Sequence, residues 1–228
     1  MTYDIQGRTL TGRSSAEDRV AFVRKVYLWL MGGFAVAGVG ALSTTYAVAA
    51  LASVLGRFWI FGLIIAFYGT FFWANRVSSR KPWNRYAYAL FTYVAGILAG
   101  IAMISALQNS GPGIVVQAFA MTAGDFLVLS AVAIFSKKDF SFLRSFILMG
   151  LVIALFAMVI GIFFHAEVFH LMISALIVIV CSAKILWDTS NMLRTGDFSD
   201  PAGFALSLFI SLLNIFISLL RLLGGRRD

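Results

Sequence analysis

Seven separate apolar runs, each about long enough to cross a bilayer, leave this chain few ways to fold. A membrane's hydrocarbon core is roughly 30 Å thick and a helix rises 1.5 Å per residue, so about 20 apolar residues span it. Such runs lie at about 27–47, 58–75, 86–107, 114–135, 143–164, 168–188 and 203–222. Lipid offers no hydrogen bonds, so each span must satisfy its own backbone as a helix or join a closed barrel. Barrel strands would alternate over about ten residues, whereas these runs are longer and continuously apolar. The sequence therefore predicts an all-α membrane protein, a bundle of seven transmembrane helices. Its expected parts are an N-terminal segment at 1–25, one transmembrane domain at 26–224 and a short basic tail at 225–228. Charged residues are 12% of the 228, about half the share of a soluble domain. Function must then be sought in the few polar groups placed inside lipid.

Charge placement orients the bundle. Arg8, Arg13, Arg19, Arg24 and Lys25 precede the first span; Arg76, Arg80, Lys81 and Arg85 fill the second connection. Lys137, Lys138 and Arg144 fill the fourth, and Lys184 and Arg194 bracket the end of span six. The intervening connections hold Arg57, then no charge, then His165, Glu167 and His170. That alternation predicts a cytoplasmic N-terminus. The net charge of +8 then marks topology and contact with anionic lipid, and no nucleic-acid partner is expected. One conflict remains. Seven full crossings put the tail outside, yet it carries Arg221, Arg226 and Arg227. Either the tail is translocated, or span seven is re-entrant. The acidic residues Asp4, Glu17 and Asp18 argue against a cleavable signal peptide. Cys181 lies mid-span and reads as a small packing residue.

Small residues let membrane helices approach closely. Gly32, Gly33, Gly38 and Gly40 crowd span one, and Gly96 with Gly100 makes a G-x-x-x-G face on span three. We read these as contacts within a monomer rather than a dimer interface. Trp59, Trp73, Trp83 and Trp187 fall near span ends and suit interfacial anchoring. Asp200-Pro201 suits the start of span seven, since Asp can cap a helix and Pro fits its first turn. Asp197 and Asp200 otherwise read as solvated.

Few ionisable groups lie at membrane depth. Asp125 sits near the middle of span four; Lys184 and Asp188 lie one turn apart near the cytoplasmic end of span six. A charge in hydrocarbon costs several kcal/mol unless paired or wetted, so each should face the bundle interior. Lys184 could alternatively mark the membrane edge by snorkelling. Lys184 is the natural partner for either Asp125 or Asp188. In span seven, Ser207, Ser211, Asn214, Ser218 and Arg221 follow steps of four, three, four and three, forming one stripe on a helix face. A lipid-facing helix has no use for such a stripe, so span seven is expected to be central. Polar side chains of spans four, six and seven are expected to meet on a shared axis. No enzyme is indicated: H-x-E-x-x-H at 165–170 is not a zinc-hydrolase motif, no G-x-S-x-G is present, and no cofactor is implied.

Certain segments carry a resemblance. They are Phe22-Val23-Arg24-Lys25-Val26-Tyr27, Ser136-Lys137-Lys138-Asp139-Phe140-Ser141-Phe142-Leu143, and Lys184-Ile185-Leu186-Trp187-Asp188-Thr189. Span seven adds Ala205-Leu206-Ser207-Leu208-Phe209, Leu213-Asn214-Ile215-Phe216 and Leu219-Leu220-Arg221-Leu222-Leu223-Gly224. Together they resemble the transmembrane Bax inhibitor motif family in its bacterial form, over nearly the whole chain. The resemblance implies a bacterial inner membrane and a central seventh helix wrapped by two layers of three. For some members it implies a pH-sensitive calcium leak, closed by two carboxylates that share a proton because both cannot ionise cheaply at close range. Asp188 matches the first carboxylate of that pair; Ser211 stands in place of the second. No acidic residue lies between Trp59 and Ala74, and Lys184 replaces a more usual aromatic. One Asp beside a Lys is a poor calcium site.

Two functions follow as expectations. One is a passive calcium, cation or proton leak, with Asp188, Lys184, Asp125 and the span-seven stripe as its gate and path. The other is a non-conducting interaction protein that modulates a membrane AAA protease or other membrane machinery, a role the resemblance also implies for some bacterial members. Residues 1–24 would then be a handle for the partner.

Overall fold

The computed structural model describes residues 16–136, 140–163, 166–194 and 198–225. These form α1 (Ala16–Leu42), α2 (Thr44–Leu55), a short 3-10 turn (Gly56–Phe58), α3 (Trp59–Val77), α4 (Trp83–Ser110) and α5 (Pro112–Phe135). α6 (Leu143–Phe163), α7 (Glu167–Arg194) and α8 (Pro201–Gly224) complete the order. Among the described residues, seven helical stretches are long and apolar enough to cross a membrane. Local chemistry sets their ends. Gly56 and Gly111 turn the chain at positive φ, where a side chain would be strained. Pro112 and Pro201 open α5 and α8 in the first turn, where no backbone donor is lost.

The first span departs from its expected bounds. α1 begins at Ala16, so Arg19, Arg24 and Lys25 lie on its early turns, and it stops at Leu42 instead of running to residue 47. Ser43 bends the helix, and α2 carries on to Leu55. The bend is held by hydroxyls. Ser43 Oγ lies 2.9 Å from Tyr93 Oη on α4. Thr44 Oγ1 donates to the Gly40 and Ile97 carbonyls, each at 3.3 Å. The other six spans match their helices within a few residues.

Two layers of three helices result. α4 is flanked by α1 and α3, and α7 by α5 and α6. α8 lies between them, touching α1, α3, α4, α5 and α7. Its Phe209 ring is fully buried and meets Phe34, Tyr88 and Phe91 from the first layer. Among the described residues, α6 packs on α7 and on no other helix, presenting Ile147, Gly150, Ala154 and Gly161 on its buried face. That three-four spacing is the seam of a coiled-coil contact. Cys181 is buried and free in the central core.

α8 runs end to end beside α4. Its start lies beside the α3–α4 connection, where Ser78 Oγ donates to Asp200 Oδ2 at 2.7 Å. Its end lies by Ser110 at the far end of α4, and Gly225 sits against Glu167 and Leu171 at the start of α7. That end-to-end run beside α4, over a helix long and apolar enough to cross a membrane, favours the full crossing over the re-entrant alternative; Arg226 and Arg227 lie outside the described residues. Asp200 is not merely solvated, since its Oδ1 also accepts from the Gly203 backbone N–H at 2.8 Å and caps α8. Asp197 lies outside the described residues.

α1 and α4 approach through glycines. A Cβ on Gly96 would collide with the Ala37 backbone, one on Gly40 with the Tyr93 carbonyl, and one on Gly100 with Thr44. The G-x-x-x-G face is therefore spent inside the monomer. Gly96→Leu is expected to destabilise the fold by about 3 kcal/mol or more, because backbone cannot yield as a side chain can. Thermal unfolding in detergent micelles measures this, and Gly32→Leu, which faces open space, serves as the control.

Candidate functional site

A charged cluster joins α7 to α8 about one and a half turns inside their basic-loop ends. Lys184 and Asp188 stand one turn apart on α7, so both project from one face. Lys184 Nζ lies 2.6 Å from Asp188 Oδ2. Ser207 on α8 donates to the same oxygen at 2.8 Å, and Lys184 Nζ also donates to Ser207 Oγ. Two donors, one from each helix, thus close on one carboxylate oxygen. The Asp188 side chain is 5% exposed and that of Lys184 22%, so the carboxylate is shielded and the ammonium keeps a partial route to solvent. Lys184 therefore pairs with Asp188, inside the bundle rather than snorkelling alone at its edge. The ammonium sits where a free cation would bind, and it is tethered.

Asp125 takes no part. Its Oδ2 accepts from Ser182 Oγ at 2.9 Å, and it is half-buried between α5 and α7. Ser182 precedes Lys184 by two residues, about 200° around the helix, so Asp125 of α5 meets α7 on a different face from the one that carries Lys184 and Asp188. The expected shared axis holds for α7 and α8 and fails for α5.

The α8 stripe resolves into local bonds. Ser211 is buried, and its hydroxyl donates to the Ser207 carbonyl one turn back, at 3.1 Å. Asn214 Nδ2 donates to the Ile210 carbonyl at 3.0 Å. Such back-bonding is how polar residues satisfy themselves within a helix. Ser218 is also buried. Among the described residues, Ser207 is the stripe member that hydrogen-bonds to another helix. Ser211 makes no hydrogen bond to Asp188 among the described residues.

Arg221 is exposed at the opposite end of α8. It lines a cavity of about 540 Å³ with Asn109, Glu167 and His170. Between this cavity and Ser207, α8 is packed with Leu208, Phe209, Leu212 and Ile215, each at 3% exposure or less. These apolar side chains occupy the other faces of α8, while Ser211, Asn214 and Ser218 continue the polar stripe between its two ends.

Sequence reasoning missed two groups here, Ser182 and Thr189. Thr189 Oγ1 is buried beside Asp188 without a hydrogen-bond partner. Serines and threonines in apolar helices are too common for either to stand out; only the rotation of α7 singles them out.

Comparison with known proteins adds the family. The profile of the family described as inhibitor of apoptosis-promoting Bax1 matches residues 19–228. The chain belongs to the Bax inhibitor-1 family. It is similar to the modulator of FtsH protease YccA of Escherichia coli K12, 32% identical over 71% of this chain and 73% of that protein. It is also similar to a membrane protein of Vibrio cholerae, 40% identical over 58% of each chain. A Campylobacter jejuni protein is 31% identical over 89% of this chain and 87% of its own length. This Bax inhibitor-1 family chain is thus a multi-pass membrane protein.

Losing one partner of a buried pair strands the other, at a cost of roughly 3–5 kcal/mol. Lys184→Met is expected near the high end of that range, because it strands Asp188, whose side chain is only 5% exposed. Adding Asp188→Leu should restore most of the loss, since an apolar replacement of both partners is often neutral or better. Unfolding midpoints of the two single variants and the double variant in detergent check this. Equal, additive losses would show that the pair does not couple.

Proposed function

We propose that this chain is a non-conducting inner-membrane protein that restrains a membrane-anchored AAA protease or related machinery. The observation that carries the reading is the ammonium of Lys184 seated on Asp188 and Ser207. A titrating carboxylate pair opens when a proton leaves. Lys184 instead brings its own counter-charge, so Asp188 is neutralised without a proton or a calcium ion. The similarity to a protein named as a modulator of FtsH protease supplies the partner class. Interaction then falls to surfaces outside the core, with the polar residues 1–24 as the handle. The basic connections at 76–85 and 137–144 support a cytoplasmic position for that handle by the positive-inside rule. The chain works as a monomer, held in the anionic bilayer by those same charges.

The stripe on α8 and the cavity at Arg221 favour a second reading, a cation or proton leak gated at Asp188. Flux separates the two. Protein in liposomes loaded with calcium and pH dyes is expected to pass neither ion above the protein-free rate. Flux that Asp188→Asn alters would establish the leak and remove the closed reading. Co-reconstitution with a membrane AAA protease and a membrane substrate tests the modulator role. The full chain should slow degradation several-fold, and the chain lacking residues 1–24 should not; equal rates with and without the full chain would refute that role.

A further inference from the structure

The end of the bundle opposite the basic connections carries a cavity of about 540 Å³ between α4, α7 and α8. Among the described residues α4 and α7 make no backbone contact with each other, and the last turns of α8 lie in the gap. The cavity is apolar within and polar at its rim. Ala102, Ala106, Ile217 and Leu220 line the inner part, and Asn109 and Glu167 the outer. From Ala102 to Ser110, where α4 ends, is about 12 Å of helix. Glu167 in the first turn of α7 and Arg221 in the last turn of α8 are each what a helix end ordinarily carries. Sharing one cavity without meeting is unusual. A Cβ on Gly225 would come within 3.2 Å of Glu167 Oε1 and 3.3 Å of the Arg221 carbonyl, so the carboxylate borders the turn that Arg221 opens. Yet among the described residues neither side chain forms an ion pair or a hydrogen bond. His170, one turn into α7, lines the cavity too. Gly161 of α6 backs its ring, since a Cβ there would come within 3.2 Å of His170 Cε1. A cation and an anion held apart on facing walls leave room for a ligand that carries both.

The lining narrows the ligand. A lone anion would meet Glu167 and a lone metal ion would meet Arg221; among the described residues no cluster of His, Cys, Asp and Glu suits a metal. A zwitterion satisfies both walls. The order of the charges by depth says which kind. Arg221 lies one turn inside Gly225, and His170 one turn inside Glu167, about 5 Å in each case. The donors are thus inner and the carboxylate outer. A phospholipid runs in the same order, from acyl chains through phosphate to a terminal amine. The carbonyl ends of α4 and α8 add partial negative charge at the rim, which suits an ammonium there. That ammonium must carry N–H groups: a carboxylate gains its strong contacts from charged donors, and no Phe, Tyr or Trp lines the cavity to hold a quaternary amine. We propose that the cavity is a headgroup site for phosphatidylethanolamine, with the phosphate on Arg221 and His170 and the primary ammonium on Glu167. Its volume of about 540 Å³ falls within the roughly 300–1,000 Å³ of ligand pockets. Among the described residues none from α2, α3 or α6 lines it, so the acyl chains leave past α4 and α7 without crossing another helix.

The test is native mass spectrometry of the full chain, released from micelles holding equal amounts of phosphatidylethanolamine, phosphatidylglycerol and phosphatidylcholine with identical acyl chains. Bound phosphatidylethanolamine should exceed each of the others several-fold. Arg221→Gln and Glu167→Gln should each bring it down to their level. Gly224→Leu should do the same by filling the cavity, since a Cβ there would meet only Ser110 Oγ, at 3.7 Å, and neither charge is altered. Melting temperatures in detergent check the fold of each variant; if one charge variant unfolds, the other and Gly224→Leu decide. Excess glycerophosphoethanolamine, the headgroup without chains, should leave the bound lipid in place. Equal retention of the three lipids, a folded variant that keeps phosphatidylethanolamine as the parent does, or displacement by the soluble headgroup, which would make the site one for a free zwitterion, would each overturn the lipid site.

Discussion

A bilayer supplies hydrocarbon and nothing else, so every polar group inside this bundle must bring its own partner. That constraint organises the interior. Thr44 spans the α1–α4 contact to reach the Ile97 carbonyl. Ser182 supplies the bond that Asp125 needs. Ser211 and Asn214 turn back onto their own helix. The strongest case is Lys184, Asp188 and Ser207, where one carboxylate oxygen gathers two donors. The net worth of such a cluster is small, because desolvation offsets most of the attraction. Its effect lies in what it forbids: α7 and α8 cannot slide apart there without stranding a charge.

Packing supplies the rest. Membrane helices gain little from hydrophobicity against one another, so close approach matters more than apolar area. α1 meets α4 through glycines that place backbone on backbone. α8 takes the opposite course, filling the centre with Phe209, Ile215 and leucines. α6, which among the described residues touches only α7, is left as an outer wall. The same division explains why α1 and α5 can forgo backbone contact without loosening the core, since each is anchored to α4 and α8.

Much of the architecture was legible in the sequence, because span length and continuous apolarity are forced by the bilayer. The central place of α8 was legible too, though for an incomplete reason. The polar stripe suggested it, yet most of that stripe is satisfied locally, and the apolar bulk on the helix's other faces makes it the core. The break at Ser43 was not legible: neither Pro nor Gly marks it, and consecutive hydroxyl residues gain their meaning only from Tyr93 and Ile97 on α4. The partner of Lys184 stayed open between two aspartates, because depth along a helix is readable and rotation about it is not. For Asp200, capping was foreseeable from the following Pro. Its second bond to Ser78, a residue 122 positions earlier, was not.

The order of synthesis gives the central helix a further meaning. α8 follows in the chain every helix it packs against, so translation delivers the core after its shell. Until Asp200 has passed the ribosome and Pro201 onward has entered the membrane, the earlier helices enclose no filling, and Phe91 and Ile185 have lost their main neighbour. The assembled bundle therefore matures only once α8 has been made, and any nascent chain that stops before it presents the quality-control apparatus with a hollow shell.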